Sequence, residues 1–416
     1  MSKDATGTTG LAPTNLSVAH PPLNEERAGE RRLFLDPLPH SQTRLAAAVP
    51  RGCRLPLRAV LRILAFFGLL ALAAIGLDRT FTFGLRHIKT SEFGASNAIM
   101  SGRVNAQVVI SGSSRALVHY DPRIIQTITG LSAFNLGRNA AQTDMQWAFL
   151  KAYLKHNAKP QVVIHNLDPY SFVLTREVFE PGQYLPYLNE EEIYKPLRQV
   201  DPSVWKWKYI PLYGYAVEDM RFTWVTAVKG LVGLNPQEDY FLGYNPRHLH
   251  WSGDFERYKS SISAGVKIEI QPAAVKLLED LVQTCQSQGI RVVLVFAPEY
   301  FEMQSLTLNR AEIFSRFQEI ADRFKVPFWD YSQSELSRDR DLFYNSQHMN
   351  QEGATSFSSD IARRLALLSL GQLPTYYPTA RNLNAVSAVP SVVVKQYRDG
   401  NQFPNMAATL SPCVWF

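Results

Sequence analysis

From Gln107 onward, short apolar runs alternate with longer stretches whose apolar residues recur every three or four positions. Gln107–Ser111 (QVVIS), Ala133–Leu136, Gln161–Asn166 (QVVIHN), Arg291–Phe296 (RVVLVF) and Val326–Trp329 have the near-continuous apolar character of strands covered on both faces. Between them the spacing predicts helices over Asp121–Thr129, Ala141–His156, Pro272–Ser287, Ala311–Phe324 and Gln351–Leu368. Asp121-Pro122 supplies an N-cap followed by a proline at the first helical position. Strands alternating with helices predict an α/β domain built on a doubly wound parallel sheet, over residues 79–170 and 269–370.

Two stretches break that rhythm. Ala59–Leu77 (AVLRILAFFGLLALAAIGL) carries Arg62 as its only charge. Its uncharged part, Ile63–Leu77, would span about 22 Å as a helix, and the stems of Arg58 and Arg62 can extend it toward the roughly 30 Å hydrocarbon core. A transmembrane signal-anchor over 56–78 is therefore expected. Arg51, Arg54, Arg58 and Arg62 precede it, so the positive-inside rule places the N-terminus in the cytoplasm and the C-terminal domain outside, in the periplasm or at the cell surface. Cleavage after Ala71-Leu72-Ala73 would need a leader much longer than a secretory signal peptide. Arg31-Arg32 lacks the directly following apolar segment that twin-arginine export requires.

The second break is 171–268, too long for an ordinary connection between strand and helix and holding Trp205, Trp207, Trp224 and Trp251. It reads as an inserted subdomain or lid. Residues 1–55, rich in Pro, Ala, Ser, Thr and charge, read as a disordered cytoplasmic tail, and 371–416 as a C-terminal extension.

Charge changes the picture only at the N-terminus. The net charge is +6, but residues 1–62 hold nine Lys/Arg against five acids, which leaves the remainder close to neutral. A basic nucleic-acid face is not indicated. Hydrophobic residues at 46% are enough to bury a core, and Cys53, Cys285 and Cys413 have no paired spacing, which excludes a disulfide framework or a cysteine zinc module. No metal or organic cofactor is implied: His248-Leu249-His250 has no completing carboxylate or cysteine pattern.

In a doubly wound sheet, ligands bind outside the carboxyl ends of the strands. There the first strand runs into Gly112-Ser113-Ser114-Arg115, where free N–H groups of the next helix could stabilise an oxyanion. The same sequence also fits ordinary capping. Nucleotide binding is unsupported, since neither G-x-x-x-x-G-K-[ST] nor G-x-G-x-x-G stands here. A nucleophilic serine needs a base, and after His250 the chain offers only His348, in a loop before the last helix. Gly112-x-Ser114-x-Ala116 also approximates a nucleophile elbow, although that elbow normally follows several strands.

Ser114 after the first strand, Gly137 in Asn135-Leu136-Gly137-Arg138-Asn139, and Asn345-x-x-His348 before a helix resemble the blocks of the SGNH/GDSL-type hydrolase family. The resemblance covers 105–170 and 270–368. It implies Ser114 as nucleophile, His348 as base and the N–H groups of Ser114 and Gly137 as oxyanion donors. The family's acid is replaced by Asn345, with Asp341 or Asp330 as candidate substitutes. The third block, at His165-Asn166-Leu167-Asp168-Pro169, is irregular: Asn166 and Asp168 both stand near the place of its oxyanion-donating Asn and neither fits cleanly, with Asn166 taken as the candidate donor. Together with one membrane anchor, the pattern is similar to membrane-tethered SGNH-like proteins of envelope polysaccharide O-acylation. That likeness implies an acyltransferase or esterase partnered by a polytopic membrane-bound O-acyltransferase and a polysaccharide acceptor. The competing expectation is a degraded SGNH-like scaffold or glycan-binding protein.

Overall fold

A computed structural model describes residues 56–369, apart from 218–222, 238 and 263. The expected tail (1–55) and C-terminal extension (371–416) lie outside the described residues.

The chain begins with α1 (Leu57–Arg86) and α2 (Ser91–Met100), followed by β1 (Val108–Ser111), α3 (Ser114–His119), α4 (Pro122–Thr129) and β2 (Ala133–Asn135). Next come α5 (Thr143–His156) and β3 (Val162–Leu167), then a long excursion holding a 3-10 turn (Pro181–Tyr187), α6 (Glu191–Val200), α7 (Val204–Tyr209), α8 (Tyr213–Ala216), α9 (Thr223–Leu231) and α10 (Asp254–Ser261). The pattern resumes with α11 (Pro272–Ser287), β4 (Arg291–Phe296), α12 (Phe301–Gln304), α13 (Arg310–Phe324) and β5 (Phe328–Asp330). An antiparallel ribbon of β6 (Phe343–Asn345) and β7 (His348–Met349) leads into α14 (Gln351–Ser369).

Among the described residues the main sheet has five strands in the order β2-β1-β3-β4-β5, all pairs parallel. This is the flavodoxin-like order of a doubly wound sheet. Successive side chains of each strand enter opposite cores. Val109, Val163, Val292 and Leu294 pack under α5, α11 and α13, whereas Val108, Ile110, Ile164 and Val293 pack against Phe357, Ile361 and Leu365 of α14. Each fully buried Val, Leu or Phe is worth about 1.5–3 kcal/mol of transfer free energy, so both layers are needed to hold the sheet.

Asp121 caps α4 by accepting from Arg123 N–H, with Pro122 at the first helical position. Outside the expected insertion, three helices escaped the sequence pattern, the four-residue α12 among them. In α2, small and polar residues (Gly94, Ser96, Asn97) are buried, so its inward face carries no apolar stripe. The six-residue α3 is too short to show a period, and it separates the serine loop from α4. The fifth strand is displaced toward Asp330.

The apolar run at 59–77 belongs to α1, which continues to Arg86 and is long and apolar enough to cross a membrane. Its most apolar stretch is wholly unburied. The first half of the 168–271 excursion packs on α5 through Tyr184, Leu185, Ile193, Leu197 and Val204. The second half returns along the sheet edge, where Asn135 N–H donates to Leu242 O (2.9 Å) and Asn245 N–H to Leu117 O (3.1 Å).

Candidate active site

The site forms where β1 ends. Gly112 allows the turn: a Cβ there would lie 2.7 Å from Ala116 Cβ and 2.8 Å from Asn166 Cβ. Ser113 then caps α3 by accepting from Arg115 N–H, which leaves Ser114 as the first helical residue. Its own N–H is one of those for which a helix has no internal acceptor.

Ser114 Oγ lies 2.8 Å from His348 Nε2, across 234 residues of sequence. His348 Nδ1 lies 3.0 Å from Asn345 Oδ1. The same oxygen accepts from the backbone N–H of Gln347 (3.0 Å) and of His348 (2.9 Å), which identifies it as the amide oxygen. An amide oxygen facing Nδ1 requires the proton there, so Nε2 is the lone-pair nitrogen and can accept from Ser114 O–H. Asn345 thus sets the tautomer a base needs without supplying a charge. Asp330 and Asp341 are exposed and take no part, since the Nδ1 position is filled by Asn345.

Opposed pairing of Asn345 and His348 across the β6–β7 ribbon fixes their separation. His119, at the far end of α3, accepts from Met349 N–H (2.9 Å), so one short helix carries both Ser114 and a tie to the strand that holds His348. Tyr344 stacks on the His348 ring at 5.5 Å and 14°.

The electrostatics oppose a charged imidazole. Burial, then the positive charges of Arg115 and Arg247, push the His348 pKa down to about 3. Burial, then Arg115, also lowers His119, and burial lowers His165 to about 4. Arg115 is itself buried, bound to Asp168 Oδ1 (3.3 Å) and to the carbonyl oxygens of Ala297 and Pro298. Burial holds the Asp168 pKa above its usual range, against the pull of Arg115.

The expected oxyanion donors are arranged differently from the nucleophile and base. Gly137 N–H donates to Asn135 Oδ1 (2.7 Å). Asn166 is fully buried, its amide nitrogen 3.3 Å from both Leu167 O and Asp168 Oδ1, and its oxygen accepts from Tyr120 O–H (2.9 Å). The structure therefore brings together Ser114, His348 and Asn345 but turns Gly137 and Asn166 toward internal partners. Sequence reading assigned no role to Arg247, Tyr344 or His119. Arg115 stood in the quoted Gly-Ser-Ser-Arg run, but nothing in a single sequence marks an arginine as buried.

Beside Ser114 lies a pocket of about 160 Å³, bounded by Ser113, Ala141, Asp168, Tyr170 and Gln347. A separate cleft of about 670 Å³ reaches Arg247 and is bordered mainly by polar groups, including Asn139, Gln183, Thr226 and Asn245. Among the described residues, no group of three or more His, Cys, Asp or Glu is placed to hold a metal ion. His248 pairs with Asp239 at 3.2 Å.

No family model matches the chain, and no curated protein does. Among solved structures it is similar to a candidate acylhydrolase from Bacteroides fragilis, at 12% identity over 63% of this chain and 87% of the other, with a TM-score of 0.32. It is also similar to a candidate lipolytic protein of the G-D-S-L family from Desulfitobacterium hafniense (12% identity, 62% and 97% covered, TM-score 0.30). A GDSL-like lipase from Bacteroides thetaiotaomicron matches at 11% identity, with 63% and 88% covered and a TM-score of 0.31. The side-chain geometry, rather than these likenesses, carries the chemistry.

Proposed function

We propose that the protein is a membrane-anchored serine acyltransferase or acyl esterase acting outside the cytoplasm on an exported polysaccharide. The observation that supports this most is the chain Ser114 Oγ–His348 Nε2 and Nδ1–Asn345 Oδ1, at 2.8 and 3.0 Å with the base in its productive tautomer. Ser114 Oγ attacks an acyl carbonyl while His348 Nε2 takes its proton, and the Ser114 N–H at the start of α3 receives the developing oxyanion. The leaving alkoxide recovers that proton. A sugar hydroxyl, or water, then gives its proton to His348 Nε2 and attacks the acyl-serine carbonyl; the C–Oγ bond breaks and Ser114 Oγ takes that proton back from Nε2. The pocket beside Ser114 has room for a small acyl group. The larger polar cleft suits a hydroxyl-rich acceptor better than an acyl tail. The acyl donor in this reading is a polytopic membrane-bound O-acyltransferase.

The imidazolium formed at each step has no carboxylate beside it. In trypsin, replacing the triad aspartate by asparagine lowers kcat by about 10⁴, and that loss comes with the wrong tautomer. Here the tautomer is right, so the penalty reduces to the missing charge.

One observation favours a second reading, a scaffold that keeps the fold without turnover: His348 has an amide where a carboxylate would support its charge, and two nearby arginines oppose that charge. Treatment of the full-length protein in detergent with a fluorophosphonate, mapped by mass spectrometry, separates the two. Modification of Ser114 that is lost in His348→Ala is the expected result. Absence of modification in folded wild-type protein overturns the enzyme in favour of the scaffold.

A further inference from the structure

At the foot of α1, Asp78 is the first charge after the uncharged run Ile63–Leu77. It accepts from Leu212 N–H (2.9 Å), which fixes the α7–α8 turn at the level where the apolar helix ends. Phe81 packs edge-on against Tyr215 at 5.1 Å, and Arg86 Nη2 donates to Pro186 O (2.8 Å). On α9, Ala227 and Gly230 lie directly on Gly84: a Cβ on Gly84 would come within 2.8 Å of the Ala227 carbonyl carbon.

These contacts use one side of each element and leave the other bare. Away from that contact α9 presents Trp224 and Val228, at i and i+4, 45% and 40% exposed, while Leu231, whose Cγ would lie 3.0 Å from a Cβ on Gly84, keeps 39% of its surface open beside α1. Around α7, Trp205 (41%), Tyr209 (64%) and Ile210 (40%) are equally open. Lys206 and Lys229 stand among them, whereas Lys208 is turned inward to Glu191 (3.5 Å) and the Tyr194 ring. Soluble surfaces seldom gather such residues. Two exposed aromatic segments interleaved with lysines, next to the end of a bilayer-spanning helix, have the composition of a membrane–water interface. The spanning stretch of α1 beside them is itself uncovered.

We infer that α9 and the α7–α8 turn form a collar around the foot of α1 that sinks into the lipid headgroup and upper acyl region on the domain's side of the membrane, giving the domain a second lipid contact. The aromatic rings occupy the interface and the lysine ammonium groups reach back to phosphates. A domain held by α1 alone could tilt freely. One held by α1 and the collar keeps Ser114 at a constrained height above the bilayer.

The inference rests on α1 being the membrane anchor, and its test separates the two. Full-length protein is reconstituted into vesicles of phosphatidylcholine and phosphatidylglycerol containing a diazirine-tailed phosphatidylcholine, irradiated, and the adducts mapped by mass spectrometry. Adducts on 63–77 and also on 205–212 and 224–234 are expected. Tyr209→Ser/Ile210→Ser should lose the adducts at 205–212 while keeping those on α1 and the reactivity of Ser114. Adducts on α1 alone overturn the collar and leave the anchor standing, and point to a protein partner for that surface. Adducts on neither overturn the anchor, and the collar with it.

Discussion

The two halves of the candidate site stand at the same sheet edge and are built from similar loops, yet they are finished differently. On the Ser114–His348 side, polar groups point at one another across the pocket: Oγ to Nε2, and Nδ1 to an amide oxygen pinned by two backbone N–H groups. On the Gly137–Asn166 side, the polar groups point into the protein, to Asn135, Tyr120, Leu167 and Asp168. In the proposed reaction, the first side is arranged for proton transfer, and oxyanion stabilisation would fall mainly to the N–H of Ser114. One fold can therefore keep a nucleophile and base in register while the donors that multiply their effect are absorbed into packing.

The sharpest way to break that contrast is Ser114→Ala. If the first half is the working one, esterase turnover should fall by about 10³-fold or more, measured by release of a chromogenic acyl ester. Retention of full activity would remove the assignment.

Next in size is Gly137→Ala. The new Cβ would lie 2.6 Å from Leu117 Cα and 2.7 Å from the Ala116 carbonyl carbon, both backbone atoms. Overpacking of this kind should destabilise the fold by about 3 kcal/mol, read as a lower midpoint in urea. A variant of unchanged stability with depressed kcat would instead mark Gly137 as a working oxyanion donor.

Asn345→Asp sharpens the first half. A carboxylate can keep all three donors and pair with the imidazolium, so kcat/KM should rise about tenfold, equivalent to about 1.4 kcal/mol of transition-state stabilisation. The pH dependence gives an independent sign. In the wild type the base is depressed to about 3, so the acid limb of kcat/KM should lie well below the ordinary histidine range, and Asn345→Asp should move it upward. Stability carries the matching signature. His119, His165 and His348 all have folded pKa values below that of free imidazole, so the unfolded chain binds more protons. Stability is then lost as pH falls from about 6.5 toward 4, which a series of thermal melts would follow.

The smallest effect tests the second half. Tyr120→Phe removes the hydroxyl donated to Asn166 Oδ1. It should cost about 1 kcal/mol of stability and leave kcat within error. A large loss of kcat without a change in melting would show that Asn166 serves the reaction after all.

The strands at 108–111, 133–135, 162–167 and 291–296 were legible because burial on both faces leaves an apolar run that local composition displays. So was the apolar stretch of α1, since a long run with a single charge shows in local composition alone. Legibility failed where burial depends on remote neighbours. Apart from Ile99, the inward face of α2 is Gly, Ser and Asn, satisfied by groups such as the Leu85 and Ile88 carbonyls that bond Asn97. The displaced β5 follows the register with β4, which its own residues do not encode.

At the site, the sequence by itself determined which chemistry was available: a serine after a Gly turn, a late histidine, and an asparagine three residues before it. Only the tertiary structure decided that Ser114 and His348 meet, that Asn345 shows its oxygen to Nδ1, and that Gly137 and Asn166 face inward. A residue type limits what a side chain can donate or accept. Which partner it meets is settled by packing between elements as much as 234 residues apart, where a few tenths of an ångström separate a bond made from a bond missed.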